Sequence, residues 1–196
     1  MEANVVILGA DRVGKSALTV RFLTRRFIGE YGDMESVYNH SVTVAGRKVA
    51  FNIWDSRYAQ DQLNQNFAKE KQVQWADGFV LVYSICDRAS FNVVQQQIQF
   101  IKSMKDYPGT ERAPIVIVGN KRDLCHQRTV SSEEGRLLAL ATDCQFCETS
   151  AAETYHGVLL VFHSLVERIK ESKILIKKTA GIKSVIRSLF STFTQI

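Results

Sequence analysis

A chain of 196 residues, 45% apolar and 23% charged, is long enough for one well-buried domain plus an appendage and too apolar to be disordered. Two prolines, eleven glycines and four cysteines exclude collagen-like, Pro-rich and disulfide-scaffold classes. The net charge of +5 is lopsided: residues 168–196 hold seven basic residues against Glu171 alone, so the body carries no basic surplus and no nucleic-acid partner is expected.

Val5-Val6-Ile7-Leu8 is a continuous apolar run of the kind a strand buried on both faces shows. Gly9-Ala10-Asp11-Arg12-Val13-Gly14-Lys15-Ser16 follows, matches G-x-x-x-x-G-K-[ST], and leads into a helix over 16–24. Glycines let such a loop wrap closely around phosphate. The N–H groups from Asp11 to Ala17 can then point inward, with the positive end of the helix dipole behind them. Lys15 brings a point charge to the β- and γ-phosphates, and Ser16 offers a hydroxyl to Mg²⁺.

Val42 and Val44 alternate with polar residues, and Ala45-Gly46-Arg47 turns the chain into Val49 to Trp54. This predicts a hairpin whose first strand lies at an exposed edge. Phe79 to Ile85 and Ile115 to Val118 predict two more buried strands, followed by helices over 90–105 and 131–141. Gln145 to Glu148 predicts a short sixth strand. Val158, Val161, Phe162, Leu165, Val166 and Ile169 recur at helical spacing. The alternation predicts an α/β fold: a doubly wound, six-stranded, mostly parallel sheet with one antiparallel edge strand and helices on both faces. Ligands of such sheets sit beyond the carboxyl ends of the strands.

Two further loops fall at those ends. In Asn120-Lys121-Arg122-Asp123, the Asp123 carboxylate can accept from both the ring N–H and the exocyclic amine of guanine. Adenine does not offer that pair, and a wrong base would leave the carboxylate unpaired. Lys121 can lay its stem over the purine, and Asn120 can tie the loop to its neighbours. Thr149-Ser150-Ala151-Ala152 follows the sixth strand, where a backbone N–H can meet guanine O6.

With these motifs in this order, and Asp55 after the third strand, the chain resembles the Ras superfamily of small GTPases over residues 4 to 170. The run from Gly14 to Tyr31 and Trp75-Ala76-Asp77-Gly78-Phe79 are most similar to its growth-inhibitor (RERG-like) branch. The resemblance implies GTP or GDP bound with Mg²⁺. It implies that Phe27 stacks on guanine and that Asp55 reaches the metal through water. Effectors or regulators would meet residues 30–40 and the second switch, in intracellular signalling.

The resemblance fails where catalysis resides. The family places a Mg²⁺-ligating threonine in the first switch, and residues 30–38 contain none. Its D-x-x-G-Q reads Asp55-Ser56-Arg57-Tyr58-Ala59-Gln60 here, so Tyr58 and Ala59 replace the glycine and the water-positioning glutamine, and Gln60 comes one place late. Asp11-Arg12 stand where the family carries two small residues. Phosphoryl transfer rests on positioning and electrostatics, so intrinsic hydrolysis is expected to be slow or absent. A nucleotide-stabilised scaffold is the alternative. A small-molecule P-loop kinase is a more remote one, since it would not need Asn120 to Asp123.

The expected division is a domain over 1–172 and a basic amphipathic tail over 173–196. From Gly181 on, Ile182, Val185, Ile186, Leu189, Phe190 and Phe193 recur on one face with Lys183 and Arg187 opposite. An anionic membrane surface, a partner or the chain's own domain could take that face. Phe193-Thr194-Gln195-Ile196 offers no cysteine for prenylation. A cytoplasmic monomer, peripherally membrane-associated at most, is expected. Cys144 and Cys147 have metal-like spacing but read as packed residues of the sixth strand.

Overall fold

The computed structural model describes residues 1–29, 36–44, 46–56, 70–104 and 113–193, with Val44 and residues 177–193 described by backbone alone. In chain order the elements are β1 (Glu2–Leu8), α1 (Lys15–Thr24), β2 (Ser36–Val44) and β3 (Arg47–Asp55). A helical stretch over 70–75, α2, precedes β4 (Gly78–Ser84) and α3 (Arg88–Ser103). Then come β5 (Ile115–Asn120), a 3₁₀ turn (Arg122–Gln127), α4 (Ser132–Ala141), β6 (Gln145–Glu148) and α5 (Tyr155–Phe193).

The strands form one six-stranded sheet in the order β2-β3-β1-β4-β5-β6. Only β2 runs antiparallel, pairing with β3 at the edge. The other neighbours are parallel. This is the predicted architecture. The order reverses between β1 and β4, which puts the ligand crevice at the carboxyl end of β1.

Strand alternation sorts β1 between two cores. Ala3, Val5 and Ile7 face a cluster built with α1 and α5, whereas Val6 and Leu8 face one built with α3. In the first, Phe22 stacks on Phe162 at 3.9 Å and Phe51 meets Phe22 edge-on at 5.2 Å. That aromatic knot fastens α1, and so the loop before it, to α5. Cys147 packs against the first cluster and Cys144 against the second.

Three features depart from the sequence reading. Strand β5 runs two residues past Val118, so Asn120 is itself its last residue, paired with Ser84. Gly119 makes that possible, because a Cβ there would lie 2.9 Å from Tyr83 Oη. Helix α2 carries no pattern that announced it. Helix α5 passes through Gly181 without a break; a helical glycine costs only ~1 kcal/mol. The expected division at 172/173 falls inside this helix. Among the described residues no helix is long and apolar enough to cross a membrane.

Candidate functional site

Helix α1 starts without a side-chain cap. Its N-cap is Gly14, and its first turn holds no acidic residue. The cap residue of α1 therefore brings no side-chain acceptor to the helix start, and the helix dipole adds positive potential at the same place. Gly9 and Gly14, at φ 146 and 96, frame the loop ahead of it. A Cβ on Gly9 would lie 2.2 Å from the Val82 carbonyl oxygen, and one on Gly14 2.3 Å from Asn120 Nδ2. Both positions thus demand glycine twice over, by conformation and by space.

Between them the loop buries Val13 and exposes Asp11 and Arg12. Arg12 takes a left-handed φ of 59 without being glycine. Lys15 is 9% exposed, and its ammonium donates to the carbonyls of Gly9 at 3.0 Å and Ala10 at 2.8 Å. The loop is curled around a cation, with uncapped N–H groups beside it. Anionic oxygens, phosphate above all, suit that donor set.

Asn120 joins the loops. Its Nδ2 donates to the Val13 carbonyl at 2.8 Å, and its Oδ1 accepts from Ala151 N at 3.2 Å. At 2% exposure, both bonds are shielded from water. The Ala151 N–H, a candidate for guanine O6, is spent on Asn120 here. Ser150 Oγ accepts from Ala152 N at 3.1 Å and Glu153 N at 3.3 Å, which folds the second loop. Lys121 sits at a left-handed φ of 66, at the turn into the exposed Asp123. Phe27, 44% exposed, follows the left-handed cap that ends α1 at Arg25.

Asp55 ends β3 at 4% exposure, opposite Ile7 in register, one strand from the loop. Ser16 opens α1 half-buried. A hydroxyl and a carboxylate are hard donors of the kind Mg²⁺ takes beside phosphates. Among the described residues no cluster of three His, Cys, Asp or Glu offers a protein-only metal cage. Ser16 and Asp55 fit a cation that would take its remaining ligands from phosphate. Residues 30–35 of the first switch, and Arg57, Tyr58, Ala59 and Gln60 of the second, lie outside the described residues.

Sequence reasoning missed several ties. The variable position of the N-K-x-D loop, Arg122, pairs with Glu153 at 3.0 Å, and Arg21 Nη2 donates to the Glu153 carbonyl at 3.0 Å. Gln72 of α2 donates to the buried Ser56 Oγ at 2.9 Å, just after Asp55. Each joins residues far apart in the chain, so no local spacing reveals it.

Known proteins resemble the chain over most of its length. The Ras family profile matches residues 4–171. A Bos taurus Ras-related and estrogen-regulated growth inhibitor-like protein is 39% identical, over 98% of this chain and 96% of its own length. The Homo sapiens Ras-related and estrogen-regulated growth inhibitor is 37% identical, over 91% of this chain and 86% of its own. The Rattus norvegicus Ras-like protein family member 11A is 42% identical, over 87% and 71%.

Proposed function

Since the chain belongs to the Ras family of GTP-binding signalling proteins, we propose that it grips GTP or GDP with Mg²⁺ but turns GTP over slowly or not at all. The observation that carries the binding half is Asn120. One buried side chain holds the phosphate loop at Val13 and the second base-side loop at Ala151. Asp11 to Ala17 take the phosphates. Asp123 reads the guanine edge, Lys121 and Phe27 cover its faces, and Ser150, Ala151 and Ala152 close the far side. Ser16, through its hydroxyl, and Asp55, through water, would hold Mg²⁺, which would supply positive charge to offset the phosphates.

The catalytic half rests on what stands near the terminal phosphate. Asp11 adds a negative charge and bulk where attack must occur. Tyr58 and Ala59 supply neither a flexible amide nor a water-positioning amide group, and Gln60 would have to shift by one place to help. The threonine-free run over 30–38 favours a second reading, in which GTP and GDP states differ little and the nucleotide is structural. Effectors or regulators then meet residues 30–40 and the second switch equally in both states. The chain acts as a cytoplasmic monomer without nucleic acid, and the 173–196 tail is a separate surface.

Mass analysis of the nucleotide released from purified protein, with single-turnover hydrolysis, tests this. Retained guanine nucleotide and a GTP half-life far beyond that of an ordinary Ras-type enzyme are expected. Empty protein, bound ATP, or brisk unaided turnover would overturn it. Equal partner affinity with either nucleotide would select the scaffold reading.

A further inference from the structure

Helix α5 packs on the sheet with one face and then outruns it. Val158, Val161, Phe162, Leu165, Val166 and Ile169 are buried. Lys173 still touches the body, 2.8 Å from Asp77 Oδ1 and 3.3 Å from the Glu2 carbonyl. Glu2 opens β1, so the helix leaves at the end opposite the phosphate loop. Ile174 and Leu175 are already 53% and 56% exposed. The helix continues to Phe193, about 30 Å beyond Lys173 at 1.5 Å per residue.

Continuity of the helix fixes where the distal residues lie. At about 100° per residue, the stripe of Ile182, Val185, Ile186, Leu189, Phe190 and Phe193 is rotated about 120° from the stripe that packs on the sheet. The line of the packed stripe runs on through Lys183 and Arg187 instead. By backbone register, an unbroken α5 thus turns these apolar residues off the line that packs on the sheet. A face of that composition calls for an occupant of its own.

We propose that this occupant is an anionic lipid bilayer, with the distal half of α5 lying flat in its interface. Charge decides between candidates. Residues 168–196 hold seven basic residues against one acid, with Lys178 and Lys183 at the borders of the stripe by register. Their long stems suit a helix whose apolar side is in acyl chains and whose ammonium groups reach headgroup phosphates. A second copy would bring two strongly basic segments side by side. The inference stands apart from the nucleotide reading, because a chain empty of nucleotide would still present this stripe.

Flotation of the full-length protein with phosphatidylcholine vesicles, with and without phosphatidylserine, tests it. The protein should float with the anionic vesicles only, and less at high salt. The double variant Leu189→Glu, Phe190→Glu should lose about tenfold or more of that partition. Lys183→Glu, Arg187→Glu should lose several-fold together with the salt sensitivity. Unchanged melting temperatures would show that both variants keep the domain folded. Failure to float, or equal flotation of the Leu189→Glu, Phe190→Glu variant, overturns the proposal. So does a doubled mass by light scattering that this variant abolishes, which would give the stripe to a second copy.

Discussion

Helix α4 meets its first N–H groups with its own cap side chain, whereas the cap residue of helix α1 has no side chain to offer. Ser131 Oγ accepts from Glu134 N at 3.2 Å, and Glu134 Oε2 accepts from Ser131 N at 2.9 Å, a complete capping box. Helix α3 is closed likewise, with Asp87 accepting from Ala89 N at 2.9 Å. Helix α1 has glycine at the cap and no acid behind it. Capping contributes about 1 kcal/mol to a helix, so leaving α1 open forgoes stability that the fold secures elsewhere. The open end lies at the sheet's switch point, beside Lys15 and Asn120. Stability was given up where a ligand's anion can replace the cap.

The largest effect should come from breaking the open end. Lys15→Ala removes the cation that donates to the loop carbonyls of Gly9 and Ala10. Charge-assisted contacts to phosphate are worth enough that nucleotide affinity should fall on the order of a hundredfold or more. Equilibrium titration with a fluorescent guanine nucleotide reads this. Asp123→Ala should cost about tenfold to a hundredfold for guanine, with little change in the weak affinity for adenine nucleotides. A variant that loses both bases equally would mean that Asp123 supports the loop rather than reads the base.

The closed end should respond in stability instead. Arg128 grips Glu148 with two bonds, at 2.6 and 3.1 Å, and reaches the Val130 carbonyl just ahead of α4. The pair is mostly buried, with side chains 25% and 13% exposed. Burial raises the Glu148 carboxyl, but hydrogen bonds from Arg128 and Ser132, with the charges of Arg128 and Arg136, together outweigh it and hold the group below its ordinary value. Arg128→Ala strands that charge and should cost about 3 kcal/mol in denaturant unfolding. Nucleotide affinity of the folded fraction should not change. A shift in affinity would show that the two regions are coupled. Ser131→Ala should cost only ~1 kcal/mol, again without touching nucleotide binding.

The loop's shape was legible where spacing fixes the backbone. Gly9 and Gly14 announce a tight turn ahead of a helix, and it closes around Lys15. The β2–β3 hairpin was legible because alternation and a glycine turn sit side by side. What stayed hidden is held by residues distant in sequence. Arg122 with Glu153 and Arg128 with Glu148 meet only because β5 and β6 lie side by side. Asn120 read as a loop residue because a glycine precedes it, yet Gly119 is what lets β5 run on between Tyr83 and Glu148. That crowding also leaves the buried Tyr83 hydroxyl without a partner among the described residues, and burial pushes its ionisation well above the ordinary range. The unbroken α5 was hidden for the opposite reason: Gly181 and the change of apolar face read as the start of a separate helix, whereas the backbone runs through them.

The smallest effect is the sharpest test of the contrast. Glu134 supplies α4 with its own anion at the positive end of the helix. The Arg88 guanidinium, then the Ser131 N–H and hydroxyl, lower its carboxyl from 4.5 to about 2. Because the folded value lies below the ordinary one, the stabilisation is complete above about 4.5 and is lost as pH falls through about 2. Glu134→Gln keeps an acceptor for Ser131 but removes the charge. Thermal melts of the two proteins should differ by a constant amount near neutrality and converge between pH 4.5 and 2. A gap that persists below that window would mean that shape rather than charge closes α4. Under the proposed function, removing nucleotide is the same experiment on α1, whose anion would come from outside the chain. Acid should therefore loosen the start of α4 by protonating a side chain, and the start of α1 only by releasing its ligand, a difference that amide exchange at the two helix starts would register separately.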